Sequence, residues 1–242
     1  MAPAPKYSLQ QQEEKILTAA AQCVEESSLM DFTMSSIASR AGLSMGSIYK
    51  HIQSKEDVLI ALATNMFKNL RQVFERLLAL PLSMPEKLLG IGLMTPDKYQ
   101  LYSFDSHLEM LIGNEALLKR ASNGWIEKMV RVEEPLEQLF RDAISAAVDS
   151  GELALDGQNR KTLVEEILVA IWSMNVGFFQ VAFQRHARAM VGEPADLPFP
   201  LAITDPFTKT VQRLLNTYQW QQPLTDAGIK NLCGVLEQEG LR

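Results

Sequence analysis

The segment from Thr33 to Lys55 constrains the fold more than any other part of the 242-residue chain. It reads TMSSIASRAGLSMGSIYKHIQSK, with apolar residues at helical spacing behind hydroxyl side chains. Thr33 and Ser44 are residue types that cap helix N-termini. Gly42 follows the last apolar residue of the first helix, where a left-handed residue often ends a helix. The pattern predicts two short helices joined by a tight turn, with a third helix starting after Ser54.

The second of these helices has Ile48 as its inner residue and directs small, hydroxyl-bearing and cationic side chains outward. A helix-turn-helix unit places such a helix in the DNA major groove, where hydroxyl groups and cations suit phosphates and base edges. An ordinary helical hairpin with a polar surface would have the same spacing. The candidate DNA-binding residues are Thr33, Ser44, Met45, Gly46, Ser47, Tyr49, Lys50, His51 and Lys55.

Several short matches add a family resemblance to this pattern. They are Phe32-Thr33, Ile37-Ala38, Ala41-Gly42-Leu43-Ser44, Gly46-Ser47-Ile48-Tyr49 and Ser54-Lys55-Glu56-Asp57-Val58-Leu59. The segment resembles the DNA-binding domain of the TetR family of bacterial transcriptional regulators, over roughly residues 10–62. The resemblance implies a homodimeric repressor that binds a palindromic operator and is released by a small-molecule effector. It also implies that Thr33, Tyr49, His51 and Lys55 contact phosphates, whereas Met45, Ser47 and Lys50 read bases.

The rest of the chain is predicted to be helical, so the expected fold class is all-α. We expect a DNA-binding domain over residues 1–62, with residues 1–9 as a flexible arm, and an effector-binding and dimerisation domain over residues 63–242. The third helix should continue to about Leu80, before Pro81. Further helices are predicted over residues 85–93 (interrupted near Gly90 and Gly92), 95–104, 106–122, 125–148, 160–190, 206–218 and 225–239.

The charge of the DNA-binding segment is unusual for its predicted role. The chain has a net charge of −6, and its first 60 residues hold five basic and seven acidic side chains, a net −2. We expect the cations, among them Arg40, to share one side while glutamates such as Glu26 lie on the opposite side. With so few cations, DNA affinity should need both subunits and fall as salt rises.

A ligand site is predicted where aromatic and methionine side chains recur in the C-terminal part. Eleven methionines offer adaptable apolar walls, and His107 is the best polar anchor, so an apolar or amphipathic organic effector fits best. A plain hydrophobic core would have the same composition. The candidate effector-binding residues are Tyr102, Phe104, His107, Met110, Trp125, Met129, Trp172, Phe178 and Phe179.

The longest apolar stretch, Ile167 to Phe183, is shorter than the roughly 20 residues that a membrane span needs and contains polar residues. We therefore expect a buried helix and no membrane. Small and amide side chains on one face of this helix would permit close approach of a symmetry mate, or line a cavity. The candidate dimer residues are Ile171, Ser173, Gly177, Gln180, Gln184, Val211, Leu214, Leu215 and Tyr218.

Catalysis has little support in the sequence. The three histidines, His51, His107 and His186, are too scattered for a metal motif, and no phosphate-binding glycine loop or nucleophile elbow is present, so we expect no enzyme, metal or cofactor. Cys23 and Cys233 form no disulfide framework, which suits a reducing cytoplasm, and the first 15 residues resemble no signal peptide. The rival function is a DNA-binding dimer without a small-molecule effector, controlled by a protein partner or by its abundance.

Overall fold

The computed structural model describes residues 7–192 and 199–242, and within these ranges the chain forms twelve helices and no named strand. One isolated antiparallel bridge joins Leu153 to Trp220. The helices are α1 (Leu9–Glu26), α2 (Met34–Ala41), α3 (Met45–Ile48), α4 (Lys55–Ala79), α5 (Met84–Leu93), α6 (Pro96–Tyr99), α7 (Asp105–Ile112), α8 (Glu115–Leu118), α9 (Asn123–Asp149), α10 (Arg160–Ala189), α11 (Pro206–Leu215) and α12 (Asp226–Gln238). The predicted all-α fold class is confirmed.

Local capping explains where many of these helices start. At α1, the Ser8 side chain accepts from the Gln11 N–H, and the Gln11 side chain accepts from the Ser8 N–H. This reciprocal pair is a capping box, which satisfies two donors that the first helical turn leaves free. Helix α1 therefore begins at Leu9, within the predicted arm of residues 1–9; residues 1–6 of that arm lie outside the described residues.

The contacts of the chain divide it into two compact units. The N-terminal unit comprises residues 7–69 and Gln100–Glu134, and the C-terminal unit comprises Leu70–Tyr99 and the described residues of Pro135–Arg242. Residues 100–134 thus belong with the predicted DNA-binding helices. The domain boundary at residues 62–63 stays a prediction.

Apolar residues at helical spacing form the core of the N-terminal unit. Ile16 of α1, Ile37 of α2, Ile48 of α3 and Leu62 of α4 are each fully buried. Burying branched side chains like these contributes roughly 1.5–3 kcal/mol each. Because Ile48 and the nearby Ile52 are both inaccessible to solvent, the short α3 is anchored in this core, where it packs against α2.

The C-terminal unit is built around α5, whose Leu88 and Leu89 have almost no exposed surface. A side chain at Gly92 would place its Cβ only 2.3 Å from the Phe207 ring, so this position admits only glycine without rearrangement. Helix α5 runs unbroken to Leu93, which corrects the predicted interruption near its glycines. Here the glycines allow close packing and do not end the helix.

Two other predicted helices are wrong in their extent. The single helix expected over residues 106–122 is divided into α7 and α8, because Asn114 accepts a hydrogen bond from the Ala116 N–H at 2.8 Å and starts a new helix. The helix expected over residues 95–104 shortens to the four residues of α6. Helix α3 ends at Ile48, and the residues up to His51 continue as turns.

Candidate DNA-binding surface and effector site

The turn between α2 and α3 has the geometry that the sequence predicts. Thr33 caps α2 by accepting the Ser36 N–H at 3.0 Å. Gly42 ends that helix with φ 64° and ψ 35°, a left-handed conformation that glycine adopts without a steric penalty. Ser44 then caps α3 by accepting the Ser47 N–H at 3.2 Å. These side-chain caps fix the angle at which α3 leaves the turn.

The outer side of α3 is open to solvent. Tyr49 is 47% exposed, and Thr33, Ser44, Gly46 and Lys50 are exposed as well. The other four candidate DNA-binding residues, Met45, Ser47, His51 and Lys55, are partly exposed. All nine candidates are therefore accessible to solvent, on α3, in the turns beside it and at the starts of α2 and α4.

The cations of this unit are not equally available. Lys50 is exposed and forms no ion pair or hydrogen bond with any residue that the structure describes. Lys55 instead donates to the Met30 carbonyl at 3.4 Å and lies over the Phe32 ring, 5.1 Å from its centroid. The family resemblance gives Lys55 a DNA phosphate as its partner. Within the protein, the Met30 carbonyl and the Phe32 ring already interact with its positive charge.

Arg40 departs further from the expected distribution of charge. Its guanidinium group forms a two-point ion pair with Glu26. The hydrogen bond to Arg40 lowers the pKa of Glu26, and the same bond raises the pKa of Arg40. The expectation that the cations and Glu26 lie on opposite sides is therefore wrong for this pair, because both charges meet at the α1–α2 contact.

Residues 120–125 contact the end of the helix-turn-helix unit, a relationship that the sequence did not indicate. Asp57 at the start of α4 is 1% exposed; its Oδ1 accepts the Ser122 N–H at 2.6 Å, and its Oδ2 accepts the Gln53 N–H at 3.0 Å. The Trp125 indole N–H donates to the His51 carbonyl at 3.0 Å. The N-terminus of α9 is thus bonded directly to the turn that follows α3.

A third contact at this junction is ionic. The Arg120 guanidinium lies 2.9 Å from the Glu56 carboxylate, and Lys128 pairs with Glu13 at 3.3 Å while lying over the Trp125 ring. Exposed pairs like these contribute little energy individually. Their main effect is on orientation. Lys128 links α9 to Glu13 of α1, and Arg120, shortly before α9, links this segment to Glu56 of α4.

The candidate effector-binding residues divide between the two units. Tyr102, Phe104, His107, Met110, Trp125 and Met129 lie in the N-terminal unit, and Trp172, Phe178 and Phe179 lie in the C-terminal unit. In the N-terminal unit, the Tyr102 and Phe104 rings stack with centroids 5.0 Å apart. Phe104, Trp125 and Met129 are buried, whereas the predicted anchor His107 is exposed.

Two acidic residues of α7 make this part of the N-terminal unit chemically distinctive. Asp105 is 3% exposed; its Oδ2 accepts the Leu101 N–H at 2.7 Å, but its buried Oδ1 has no hydrogen-bond partner among the described residues. Burial raises the pKa of Asp105 to about 6, against the lowering effect of backbone N–H groups. Burial, then the negative charges of Asp105 and Glu133, raise the pKa of Glu109 to about 7.

Sequence reasoning passed over this acidic pair. The available signal was the i, i+4 spacing of Asp105 and Glu109 on a helix that is otherwise apolar on that face. Tyr102 lies nearby, and its pKa is raised chiefly by burial, despite a side-chain hydrogen bond with Asn65. Among the described residues, no three His, Cys, Asp or Glu side chains are grouped so that they could hold a metal ion.

The candidates in the C-terminal unit have separate environments. Phe178 packs against Phe207 with ring centroids 4.5 Å apart, and Phe179 stacks on Phe199 at 5.8 Å. Trp172 is 42% exposed. Phe178 therefore helps to fill the core, whereas Trp172 lies on the surface of α10.

Three of the candidate dimer residues belong to the core of their own chain. Ile171, Val211 and Leu215 have at most 3% of their surface exposed, so they have no surface left to bury against a partner. Of the others, Ser173, Gln180 and Gln184 are exposed, and Gly177, Leu214 and Tyr218 are partly exposed. The candidate surface is thereby reduced to one side of α10 and the neighbouring end of α11.

Helix α10 is less enclosed than predicted. Among the described residues, it is the one helix whose length and apolar composition would suffice to cross a membrane, which is weak evidence for a span. Only 22% of its most apolar window is buried, and Val169 and Val181 are about half exposed. The expectation of a buried helix is thus wrong for one side of α10, because the rest of the unit packs only against the other side.

Comparison with known proteins identifies the segment that contains α2, α3 and the turn between them. Residues 16–62 match the model of the family described as bacterial regulatory proteins, tetR family. This interval includes every candidate DNA-binding residue and the caps of α2 and α3. Residues 16–62 are the DNA-binding segment of the TetR family. The resemblance predicted from the sequence is confirmed.

Solved structures have a fold similar to that of the whole chain. A putative TetR-family transcriptional regulator from Mesorhizobium loti is 14% identical and superposes with a TM-score of 0.53, covering 95% of this chain and 98% of that one. E. coli NemR in its reduced form is also 14% identical, with a TM-score of 0.51 and coverage of 86% and 98%. At these identities the likeness concerns the fold alone. No curated protein matches the chain in sequence.

Proposed function

We propose that this protein is a TetR-family regulator that binds a palindromic DNA operator as a homodimer in the cytoplasm, represses transcription there, and is released by an amphipathic small molecule. The observation that carries the proposal is the exposed outer side of α3 and of the turn after it, where Tyr49 and Lys50 are exposed to solvent while Ile48 anchors the helix beneath them. A helix held in this way can enter the major groove without distortion of the domain. Its free hydroxyl and ammonium groups then meet phosphates and base edges.

The exposed side of α10 supports the dimer. Val181, four residues after Gly177, is 47% exposed, and a Cβ atom added at Gly177 would meet no atom within 4 Å. Exposed small or amide side chains lie around Gly177 at helical spacing, namely Ser173, Gln180 and Gln184, so this face permits close packing against a second copy of itself. Two DNA-binding units presented about 34–36 Å apart would then reach successive major grooves.

The contacts of α9 support control by a ligand. Trp125, Met129 and Glu133 follow one another at four-residue intervals, so they lie along one side of α9. The first contacts the turn after α3, and the last faces the acidic residues of α7. A ligand that binds beside α7 and shifts α9 would therefore also shift the turn that carries His51.

Such a ligand weakens DNA binding by its differential affinity for the two arrangements of α9. A coupling free energy of roughly 1–3 kcal/mol would change operator affinity about 5–150-fold. In this scheme the ligand does not touch DNA. It alters the position of α3 through the bonds made by Ser122 and Trp125.

Selection of random duplex DNA by the purified full-length protein tests the proposal. We expect an inverted-repeat sequence that binds in a dimer-dependent manner, and Ser47→Ala should change the selected sequence, whereas Tyr49→Phe should weaken binding to all sequences alike. Glu127→Gln, on the exposed side of α9, is a control that should change neither. Failure to enrich any sequence at low salt would reject DNA-binding function.

The operator sequence selected in this experiment is then used to test whether a small molecule releases the protein from DNA. Small molecules that bind the protein are added to the complex, and DNA affinity is followed by fluorescence anisotropy. If DNA affinity is unchanged by every small molecule that binds, the chain is instead a DNA-binding dimer controlled by a protein partner or by its abundance.

A further inference from the structure

We infer that two copies of α10 pack antiparallel about Gly177, and that Glu166 of each protomer forms an ion pair with Arg188 of the partner subunit. The inference rests on the proposed function, because it specifies which charges select the partner in the proposed homodimer. It starts from the distribution of charge along α10. Residues 167–184 contain no charged side chain, whereas Glu166 immediately precedes this stretch and Arg188 follows it closely.

Glu166 and Arg188 lie on the same side of α10. They are 22 residues apart, which is about six helical turns. Both are exposed, and Ser173, Gln180 and Gln184 lie exposed between them. Helix α10 therefore presents one surface that is acidic near its start, uncharged in its middle and basic near its end.

Both charged groups are available to a partner. The Arg188 guanidinium group forms no ion pair with any residue that the structure describes. The Glu166 Oε1 accepts a hydrogen bond from the Tyr218 hydroxyl at 3.2 Å, which holds the carboxylate in place without neutralising it. Burial, then the negative charge of Glu166, raise the pKa of Tyr218 to about 12, so this hydroxyl remains a donor at neutral pH. The neighbouring Glu165 is instead bonded to Arg141 of α9.

A second copy of α10 complements this surface in one direction only. Parallel packing would bring the two Glu166 side chains together at one end and the two Arg188 side chains together at the other, and like charges in contact are unfavourable. Antiparallel packing places each acidic end against a basic end. Because a two-fold axis makes the two contacts identical, the helices must then cross midway between the charged residues, at Gly177.

The backbone at this midpoint suits a close crossing. A Cβ atom built on Gly177 would meet no atom within 4 Å, so the protomer itself does not fill the space in front of it. Apolar surface for burial lies on either side, where Val169 and Val181 are about half exposed. Helices that cross at about 20° stay close over several turns, and the long side chains of Glu166 and Arg188 bridge the wider gap at the ends.

Charge reversal tests the inference. Glu166→Arg and Arg188→Glu each place like charges opposite one another twice in the antiparallel homodimer. We expect each variant of the full chain to raise the dimer dissociation constant at least about tenfold, as measured by analytical ultracentrifugation. An equimolar mixture of the two variants restores both ion pairs, so it should form heterodimers about as strong as the parent dimer. Recovery in the mixture also reports that each variant is folded.

Lys161→Glu is the matched control. It makes the same change of charge as Arg188→Glu on the same helix, but Lys161 lies 27 residues earlier. That separation is about seven and a half turns, which places Lys161 on the opposite side of α10. We expect this variant to dimerise as the parent does, and the double variant Glu166→Arg/Arg188→Glu to regain the association that each single reversal loses.

The outcomes separate this inference from the proposed function. If the parent is a dimer but both reversals leave it unchanged, or the mixture is no stronger than either variant alone, this register is refuted and a DNA-binding dimer still stands. If reversal and mixing behave as expected but the protein selects no duplex DNA, the antiparallel dimer stands and the DNA-binding proposal fails. A parent that stays monomeric refutes both this register and the homodimer, and leaves the α10 surface to a different protein.

Discussion

The indole N–H of Trp125 donates to the backbone carbonyl of His51 across 74 residues of sequence, at a distance of 3.0 Å. The acceptor is in the turn that leaves α3, and the donor is in the first turn of α9. A displacement of α9 along its axis must therefore break this bond or move the turn. This gives the effector region a direct structural route to the DNA-binding helix within one unit.

Replacement of this donor should loosen the turn without removing the aromatic ring. We expect Trp125→Phe to raise the amide hydrogen-exchange rate of residues 49–53 about fivefold, as expected for loss of one hydrogen bond of roughly 1 kcal/mol. Hydrogen-exchange mass spectrometry measures this directly. Trp220→Phe removes an equivalent bond, from its indole to the Leu215 carbonyl at 2.8 Å in the C-terminal unit, and should leave residues 49–53 unchanged.

Asp57 should be among the most sensitive positions for stability. Its two carboxylate oxygens, which are buried, accept the N–H groups of Ser122 and Gln53, so Asp57→Ala removes the acceptor of both bonds. We expect the free energy of unfolding to fall by about 2–4 kcal/mol, as measured by urea denaturation. Asp57→Asn retains an acceptor and should lose less, and the exposed Asp31→Ala should lose about 1 kcal/mol or less.

The acidic residues of α7 should make stability depend on pH. The pKa of Glu109 rises from 4.5 to about 7 on folding, chiefly through burial, then through Asp105 and Glu133. The folded state thus holds the proton more tightly, and this contribution to stability is lost as the pH rises from about 4.5 to about 7. In Glu109→Gln that loss is absent, so the variant should be more stable than the parent at about pH 8 by roughly 2–3 kcal/mol.

Denaturation at several pH values checks this expectation. The advantage of Glu109→Gln should disappear near pH 4.5, where the parent side chain is protonated and resembles glutamine. Glu115→Gln, which is exposed on α8, should differ from the parent equally at every pH. If the difference in stability between Glu109→Gln and the parent is the same at high pH as at low pH, Glu109 is not buried.

Sequence was sufficient wherever the determinant of structure was local. The caps by Thr33 and Ser44 and the left-handed Gly42 each involve neighbours within a few residues, so residue type and spacing predicted them. The end of α4 was predicted correctly because Pro81 follows it closely. The α7–α8 break was missed because Asn114, although a good capping residue, lies in a stretch that is otherwise compatible with one helix.

Contacts between distant residues could not be predicted in the same way. Nothing in the composition pairs Arg40 with Glu26 or Asp57 with Ser122, because either partner could equally have faced solvent. The assignment of Ile171 and Leu215 to a dimer surface failed for a related reason. Helical spacing reveals an apolar face, but it does not say whether the same chain or a second one covers it.

Cations near α3 should differ in their contribution to DNA binding according to their partners. Lys50 is exposed, whereas the charge of Arg40 is engaged by Glu26. Although the family resemblance places Lys50 among the base-reading residues, we expect its ammonium group to neutralise a neighbouring phosphate as well. Lys50→Ala should therefore reduce the slope of log affinity against log salt by about 1 for each subunit, hence about 2 for a dimer. Arg40→Ala should leave the slope nearly unchanged. Equal changes in slope would mean that the Arg40–Glu26 pair opens when DNA binds.

Gly177 allows the proposed dimer surface to be tested without damage to the protomer. A Cβ atom added there meets nothing within 4 Å, so Gly177→Trp should fold normally, yet its indole would hold a second α10 helix away. We expect the dimer dissociation constant to rise at least about tenfold, as for a change at the centre of an interface, measured by analytical ultracentrifugation. Gly234→Trp on α12 is the matched control, because that helical glycine also faces open space. If Gly177→Trp leaves the dimer as strong as Gly234→Trp does, the subunits associate through a surface other than this face of α10.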